Sequence, residues 1–320
     1  MSKAVPTVSG FQSNTARELS SARHHPFMKI LLLGKNGQVG WELQRSLAPL
    51  GEVLALDRNS TSHCGDLQNL EGLAETVRVY RPQVVVNAAA YTAVDQAESD
   101  PITAHGVNAL APEVLSRACA AMDALLVHYS TDYVFDGSGQ TPWLETDATG
   151  PLNVYGRSKL AGEQGIAKQG ARHVIFRTSW VYGTEGGNFA KTMLRLAQER
   201  DKMAVINDQF GAPTGAALLA DITALCLQQA QALSGTYHLA AAGETTWHAY
   251  AEYVLQTAKR LKPEIEYKVK EVAAVPTSEF PTPAQRPLNS RLNCSKLQNA
   301  LQCQLPDWQK GIDSMLSKIL

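Results

Sequence analysis

The chain has 320 residues, which is enough for two domains at about 150 residues per domain. Hydrophobic residues make up 44% and charged residues 18%, a composition typical of a globular protein with a sizeable core. Lysine and arginine total 29 against 30 acidic residues, and this balance argues against a nucleic-acid partner. No apolar run approaches the length of a membrane-spanning helix, which excludes membrane insertion.

The first residues and the cysteines bear on where the protein works. Residues 1–27 are rich in Ser, Thr, Arg and His and lack the apolar core of a signal peptide, so we expect a disordered leader before Met28. The five cysteines are scattered and form no C-x-x-C pair. This pattern predicts free thiols and a cytoplasmic location.

From Met28 onward, strand-length apolar runs alternate with helical patterns. A helical pattern reaching residue 50 follows the first run, one over 70–80 has Asn69 as its cap, and one over 101–122 has a kink expected at Pro112. Strands that are apolar throughout and alternate with helices predict an α/β fold, a Rossmann-type doubly wound parallel sheet. The predicted strands are 29–33, 53–56, 84–86, 125–128 and 173–177.

The alternation of strand and helix patterns becomes less regular beyond residue 180, and several prolines lie between residues 263 and 287. We therefore predict a dinucleotide-binding domain over 28–178, with part of 205–235 returning to it. Residues 179–320 would mainly form a smaller C-terminal substrate-binding domain.

Gly34, Gly37 and Gly40 form G-x-x-G-x-x-G between the first predicted strand and the helix that opens near Gln38. A tight turn and close approach by a diphosphate both favour glycine, and the helix start offers free N–H groups to phosphate. The spacing predicts dinucleotide binding.

Asp57, at the end of the second strand, stands where a carboxylate binds the adenosine ribose diol and favours NADH. Arg58 follows at once and could hold a 2′-phosphate instead, so we expect use of both NADH and NADPH. Asp66, beside Leu67, could meet the adenine amino group, and an ordinary turn aspartate is the alternative.

Tyr155 and Lys159 form Y-x-x-x-K at the start of a helical stretch that runs to Gln169. Residues four apart share one helix face, and a neighbouring ammonium favours the phenolate of a tyrosine. Lys159 could also bind the nicotinamide ribose. The pair follows a strand that ends in Ser130 and Thr131, which makes it a candidate acid–base centre.

An ordered set of motifs carries a family resemblance. The set resembles the dTDP-4-dehydrorhamnose reductases, a family of extended short-chain dehydrogenase/reductases, over essentially the whole chain from Met28. The motifs are G-K-N-G-Q-V-G, V-V-N-A-A-A-Y-T-A-V-D, H-Y-S-T-D-Y-V-F-D-G, P-L-N-V-Y-G-R-S-K-L-A-G-E, F-R-T-S-W-V-Y, N-D-Q-F-G-A-P-T-G and R-P-x-N-S-R-L.

The resemblance implies roles for individual residues. Thr131, Tyr155 and Lys159 would be the catalytic triad, in which Tyr155 donates the proton. Trp180 would face the sugar, with Asp132 beside it, and Asn108 would support the active-site lysine through water. The residues implied to bind the cofactor, with Tyr155 and Lys159, are Gly34, Asn36, Gly37, Gln38, Val39, Ala90, Tyr91, Thr92 and Tyr129.

The implied reaction is reduction of the C4 ketone of dTDP-4-dehydro-6-deoxy-L-mannose by NADPH or NADH. The product, dTDP-L-rhamnose, would serve rhamnose-containing surface polysaccharide such as lipopolysaccharide O antigen. Two alternatives stay open: a nucleotide-sugar epimerase or dehydratase of the same superfamily, and a non-catalytic regulatory subunit. A dehydratase usually adds acidic groups beside the threonine, whereas here Tyr133 follows Asp132.

Some members of the resembled family carry Mg²⁺ at a dimer contact. Glu42 matches one carboxylate of that site, but Ala217 stands where we would look for its acidic partner. The resemblance therefore leaves both magnesium dependence and a homodimer open.

The remaining polar and aromatic residues have structural explanations as well as functional ones. Arg286, Asn289 and Arg291 are candidates for diphosphate contacts or for a solvated face. The tryptophans other than Trp180 are expected to pack in the protein interior, and they are Trp41, Trp143, Trp247 and Trp308. Four histidines are expected to be structural, namely His63, His128, His173 and His238.

Overall fold

The structure is a computed structural model, and it describes Met1, residues 27–229 and residues 233–320. The prediction of a disordered leader over 1–27 therefore lies almost entirely outside the described residues. The strands, in chain order, are β1 Met28–Leu33, β2 Gly51–Leu56, β3 Val84–Asn87, β4 Leu125–Thr131, β5 His173–Thr178, β6 Val181–Tyr182, β7 Lys202–Ile206, β8 Phe210–Gly211, β9 Thr214–Gly215, β10 Gly235–His238, β11 Thr245–Thr246 and β12 Glu271–Val275.

Helices alternate with the strands in the first half of the chain and dominate the second half. They are α1 Gln38–Leu47, α2 Leu70–Tyr80, α3 Val94–Ala97, α4 Pro101–His105, α5 Ala111–Ala120, α6 Val154–Lys168, α7 Phe189–Glu199, α8 Ala216–Gln228, α9 Trp247–Leu261, α10 Ser295–Leu301 and α11 Trp308–Ile319. Short 3₁₀ turns cover 48–50, 132–134 and 277–279, and a π-helical turn covers 106–110.

The central sheet has six parallel strands in the order β10-β5-β4-β3-β1-β2. One face is covered by α1 and α8, whose Leu43 and Leu219 pack on Ile30 and Leu32 of β1. On the other face, α2, α5 and α6 pack against the strand side chains that point the opposite way, such as Leu31 and Leu33 of β1. The predicted doubly wound parallel sheet is confirmed.

The predicted helix starts and stops are also largely confirmed. The Asn69 side chain accepts a hydrogen bond from the Gly72 N–H and caps α2, which ends at Tyr80, just before Pro82. The stretch over 101–122 is broken at 106–110 by a π-helical turn. The break falls just before Pro112, because proline has no N–H to donate to the carbonyl four residues earlier.

Beyond residue 178 the chain returns to the sheet through α8 and β10. A separate core forms between α7, α9 and α11, in which Met193, Tyr250, Val254 and Ile312 pack together. The division into domains at residue 178 stays a prediction.

No helix within residues 27–229 and 233–320 is long and apolar enough to cross a membrane.

Candidate active site

The glycine loop follows β1 at the point where the order of the strands reverses, with β2 on one side and β3 on the other. Gly34 has φ +89°, and a Cβ built on it would lie 2.7 Å from the Ala89 backbone nitrogen. A Cβ on Gly40 would lie 2.0 Å from the Gly34 carbonyl oxygen. The crevice at such a reversal is the usual ligand site of an open α/β sheet.

Gly37 is different, because packing does not require it to be glycine. Its Cβ would meet only the Gly34 carbonyl oxygen, at 3.4 Å, and would otherwise point into open space. It stands at the start of α1, where neither a side-chain cap nor an acidic residue of the first turn occupies the free N–H groups. This end of α1 therefore fits an anionic diphosphate.

Asp57 lies at the end of β2, beside the loop. Its carboxylate accepts hydrogen bonds from the Asn36 amide, the Ser60 hydroxyl and the Asn59 N–H, and the Ser60 bond is the main cause that lowers the pKa of Asp57. Arg58 lines the same cleft. The cleft thus contains both an ionised carboxylate and a guanidinium, as expected for a site that could accept either the free ribose diol of NADH or the 2′-phosphate of NADPH.

A single cleft with a volume of about 940 Å³ contains the candidate triad and every residue that the glycine loop, the second strand and the family resemblance implicate in cofactor or sugar binding. The cleft runs from the glycine loop across the carboxyl ends of β3, β4 and β5. Its lining includes Gly34, Asn36, Gly37, Gln38, Val39, Asp57, Asp66, Leu67, Ala90, Tyr91, Thr92, Tyr129, Thr131, Asp132, Tyr155, Lys159 and Trp180.

Two elements place the candidate triad. Thr131 is the last residue of β4, and its hydroxyl accepts a hydrogen bond from the Tyr133 N–H. Tyr155 and Lys159 lie on the first two turns of α6, whose start is fixed by Asn153. The Asn153 side chain accepts from the Gly156 N–H and donates to the Gln285 carbonyl, so one residue caps the helix and ties it to the C-terminal region.

The electrostatics of this corner favour a protonated tyrosine. Burial raises the pKa of Tyr155 to about 12, while its hydrogen bond with Thr131 acts in the opposite direction. Burial also raises the pKa of Asp132 to about 7, against the hydrogen bonds of Ser290 and Thr131. At neutral pH the phenol carries its proton and is able to donate it.

Lys159 is 2% exposed and lies against β4 rather than in solvent. Its Nζ donates to the Tyr129 carbonyl at 2.6 Å and lies 3.2 Å from Nε2 of His128. Burial lowers the pKa of Lys159 to about 8, and the charge of Glu163 opposes that shift.

His128, predicted to be structural, is buried and hydrogen-bonded, and it also contacts a residue of the candidate triad. The ring touches the candidate catalytic lysine because His128 and Lys159 project into the same buried space between β4 and α6. The signal in the sequence was a titratable residue inside an otherwise apolar strand, three residues before Thr131.

Two of the tryptophans also differ from expectation. Trp247 lines the cleft and stacks on Trp180 with ring centroids 3.8 Å apart, so it is part of the site rather than packing alone. Trp41 is 50% exposed and does not pack in the core. Trp143 stacks on Phe135, and Trp308 is buried, as expected.

The polar residues of the C-terminal segment do not themselves line the cleft, and other groups of the protein bind them. Arg286 pairs with Asp95 at 2.8 Å, and Arg291 pairs with Glu244 at 2.6 Å. Asn289 is 2% exposed and donates to the carbonyls of Ser138 and Thr141. These partners contradict the interpretation of Asn289 as part of a solvated face, and all three residues hold the segment in place.

Asn108 supports the site without touching Lys159. Its side chain accepts from the Tyr91 N–H and donates to the Tyr91 carbonyl and to the hydroxyl of Ser158, the neighbour of Lys159.

Glu42 lies outside the main cleft. It lines a small separate cavity, of about 90 Å³, together with Ala217, and accepts a hydrogen bond from Arg45. Across the described part of the chain, no group of three or more His, Cys, Asp or Glu side chains is placed to hold a metal ion. The magnesium question stays open.

Comparison with known proteins agrees with this geometry. The family model described as "RmlD substrate binding domain" matches residues 28–320. A dTDP-4-dehydrorhamnose reductase of Shigella flexneri is 58% identical over 295 residues, covering 91% of this chain and 98% of that protein. The reductase of Escherichia coli K12 is 57% identical with the same coverage.

Among solved structures, the dTDP-4-dehydrorhamnose reductase of Bacillus anthracis in complex with NADP superposes with a TM-score of 0.84. It is 33% identical, and the match covers 91% of this chain and 99% of that one. These matches span nearly all of both chains. The chain therefore belongs to the dTDP-4-dehydrorhamnose reductase family.

Proposed function

We propose that the protein reduces the C4 ketone of dTDP-4-dehydro-6-deoxy-L-mannose to dTDP-L-rhamnose with NADPH or NADH. The observation that carries the proposal is the single cleft in which the glycine loop of β1 and the residues Thr131, Tyr155 and Lys159 face the same space. We place the enzyme in the cytoplasm.

The cofactor would lie across the carboxyl ends of β1 and β3. The loop from Gly34 to Val39 would hold its diphosphate against the free N–H groups of α1, with Gly37 leaving room for the phosphates. Asp57 would take the adenosine ribose diol, and Arg58 a 2′-phosphate where one is present. When bound, the dinucleotide supplies the hydride.

The candidate triad would bind the ketone oxygen at which negative charge develops. Tyr155 keeps its proton at neutral pH because burial raises its pKa to about 12, and an alkoxide is a strong enough base to take that proton. The Thr131 hydroxyl lies beside it and would stabilise the same oxygen. Lys159, when charged, would favour the phenolate that remains on Tyr155.

The sugar would rest against the aromatic pair Trp180 and Trp247. Trp180 has φ +49°, a left-handed conformation that is uncommon for a bulky residue. Its ring lies between Trp247 and Gly211, where a Cβ on Gly211 would approach within 2.8 Å. Such strain held in place by packing is characteristic of functional sites.

The experiment that tests the proposal follows the oxidation of NADPH and NADH at 340 nm. The substrate, dTDP-4-dehydrorhamnose, would be generated in situ by the upstream dehydratase and epimerase, and the product identified as dTDP-L-rhamnose. Oxidation that depends on this substrate supports the proposal and gives the cofactor preference. Protein that binds the dinucleotide but oxidises none of it would refute the assigned substrate.

A further inference from the structure

His128 and Asn87 form a buried hydrogen-bonded chain that ends at Lys159. Nδ1 of His128 lies 3.2 Å from the Asn87 amide nitrogen, and its Nε2 lies 3.2 Å from Nζ of Lys159. All three side chains are at most 2% exposed, so solvent cannot replace these contacts. The direction of each hydrogen bond is therefore fixed by the neighbouring groups.

Asn87 sets the direction at one end. Its Oδ1 accepts a hydrogen bond from the Ala89 N–H at 3.2 Å. Turning the amide over would bring its NH₂ group against that N–H, which leaves two donors facing each other. The NH₂ group of Asn87 consequently donates to Nδ1 of His128.

The tautomer of His128 follows from this donor. A neutral imidazole whose Nδ1 accepts must carry its proton on Nε2. Burial holds the pKa of His128 well below its usual value, so the ring stays neutral. Nε2 therefore carries the proton, and it can donate that proton only to the lone pair of a neutral Lys159 amine, since an ammonium has no lone pair.

We propose that Asn87 and His128 act as positioning residues that favour the neutral amine of Lys159 over its ammonium. The donated bond from His128 stabilises the amine. Protonation of Lys159 would require either that His128 change tautomer against the Asn87 donor or that the bond be lost.

The charged groups around Lys159 do not remove this bias. Glu163 on α6 is the nearest anion, but it is itself buried and bonded to Arg177 of β5 at 2.6 Å. Tyr155 keeps its proton, and the Tyr129 hydroxyl is bonded to Thr223. Asp132, at the end of β4, bonds to Thr131 rather than to Lys159.

One consequence rests on the proposed function, in which the ammonium of Lys159 assists Tyr155. The rate constant kcat/KM then falls on the alkaline side as Lys159 of the free enzyme loses its proton, near the pH at which burial places its pKa, about 8. Breaking the Asn87–His128 chain would move this limb to higher pH.

The tautomer can be measured in the unaltered protein. Long-range ¹H–¹⁵N correlation spectra distinguish a protonated from a bare ring nitrogen, and the His128 signal is assigned by its loss in His128→Gln. We expect a bare Nδ1 and a protonated Nε2. A proton on Nδ1 would overturn the proposal without the use of any variant.

The charge of Lys159 is measured by ¹³C NMR of protein labelled at the lysine Cε, with Lys159→Arg identifying its signal. In His128→Gln the amide oxygen accepts from an ammonium, and in Asn87→Ala the ring is free to change tautomer. Both variants should raise the titration midpoint by about one pH unit, a tenfold shift towards the ammonium. A midpoint that stays in place or falls in either variant contradicts the proposal.

A matched control is His238→Gln. His238 is also fully buried and its ring bonds to the Trp143 carbonyl, away from Lys159. We expect the midpoint of Lys159 to stay unchanged in this variant even if the protein loses stability. Thermal melting and NADPH fluorescence establish that each variant is folded.

Activity provides an independent comparison. An NMR midpoint that rises together with the alkaline limb of kcat/KM supports both the positioning role and the proposed function. If the NMR midpoint rises but the limb does not move, the positioning role stands and the role given to Lys159 in the reaction fails.

Discussion

The cofactor side and the C-terminal side of the cleft are built in different ways. On the cofactor side, continuous strand registers place each group, and all seven residues of β4 are buried up to Thr131. On the C-terminal side, β6, β8, β9 and β11 are only two residues long. The comparison shows that a repeated backbone pattern positions one wall and individual side chains position the other.

Three contacts stabilise the C-terminal side, which we call the second wall, and two of them lie behind its lining. Asn289 holds the 138–141 loop through two carbonyls, and Arg286 ties its segment to Asp95 at the start of α3. Trp180 is fixed by stacking on Trp247. Each contact depends on one side chain, so truncating that side chain should loosen this wall.

The largest effect is expected where the strand-built wall performs the chemistry. Tyr155→Phe removes only the hydroxyl that we assign as proton donor, so turnover should fall at least about a hundredfold. NADPH binding should remain nearly intact. Steady-state kinetics with dTDP-4-dehydrorhamnose and fluorescence titration with NADPH measure the two effects.

The control for this change is Tyr253→Phe. The Tyr253 hydroxyl bonds to Asp313 in the C-terminal core, far from the candidate triad, and we expect turnover close to that of the parent. A Tyr155→Phe enzyme within threefold of the parent would remove Tyr155 from the mechanism.

Two glycines of the loop on the cofactor side of the cleft differ in their role, because one is required for packing and the other for binding. Gly40→Ala places a Cβ 2.0 Å from the Gly34 carbonyl oxygen and should destabilise the fold by about 3 kcal/mol. Gly37→Ala meets the same atom only at 3.4 Å, so its melting temperature should hardly change while NADPH affinity falls about tenfold. Denaturant unfolding and NADPH titration of both variants check the contrast, and an unchanged affinity in Gly37→Ala would contradict the diphosphate assignment.

The second wall can be tested through Asn289. Asn289→Ala leaves two loop carbonyls without their donor and should cost about 2 kcal/mol of stability. The KM for the sugar should rise, with little change in NADPH affinity. Asn299→Ala makes the same truncation on the exposed surface of α10 and serves as the control. Equal losses of sugar and cofactor affinity would mean that the two walls are not independent.

These two walls also explain what the sequence could predict. The strands, the α2 cap at Asn69 and the glycine loop follow from local periodicity and spacing, and the candidate triad lines the same cleft as the glycine loop. The partners of Arg286 and Asn289 come from more than 140 residues away, so no local pattern reveals them. His128 was missed for the same reason, because Lys159 approaches it only after α6 has packed on β4.

The last prediction concerns Asp132, which lies where the two walls meet, since Ser290 bonds to it. Its carboxyl binds a proton more tightly in the folded protein, with a pKa of about 7, than in the unfolded chain, so folding stability falls as pH rises from about 4 towards 7. Asp132→Asn removes this titration. Its stability relative to the parent should therefore increase by roughly 2.6 kcal/mol between pH 5 and pH 8, measured by denaturant unfolding at both pH values. A stability difference that is the same at both pH values would mean that Asp132 is ionised throughout this range, and that the second wall shields it less than the structure indicates.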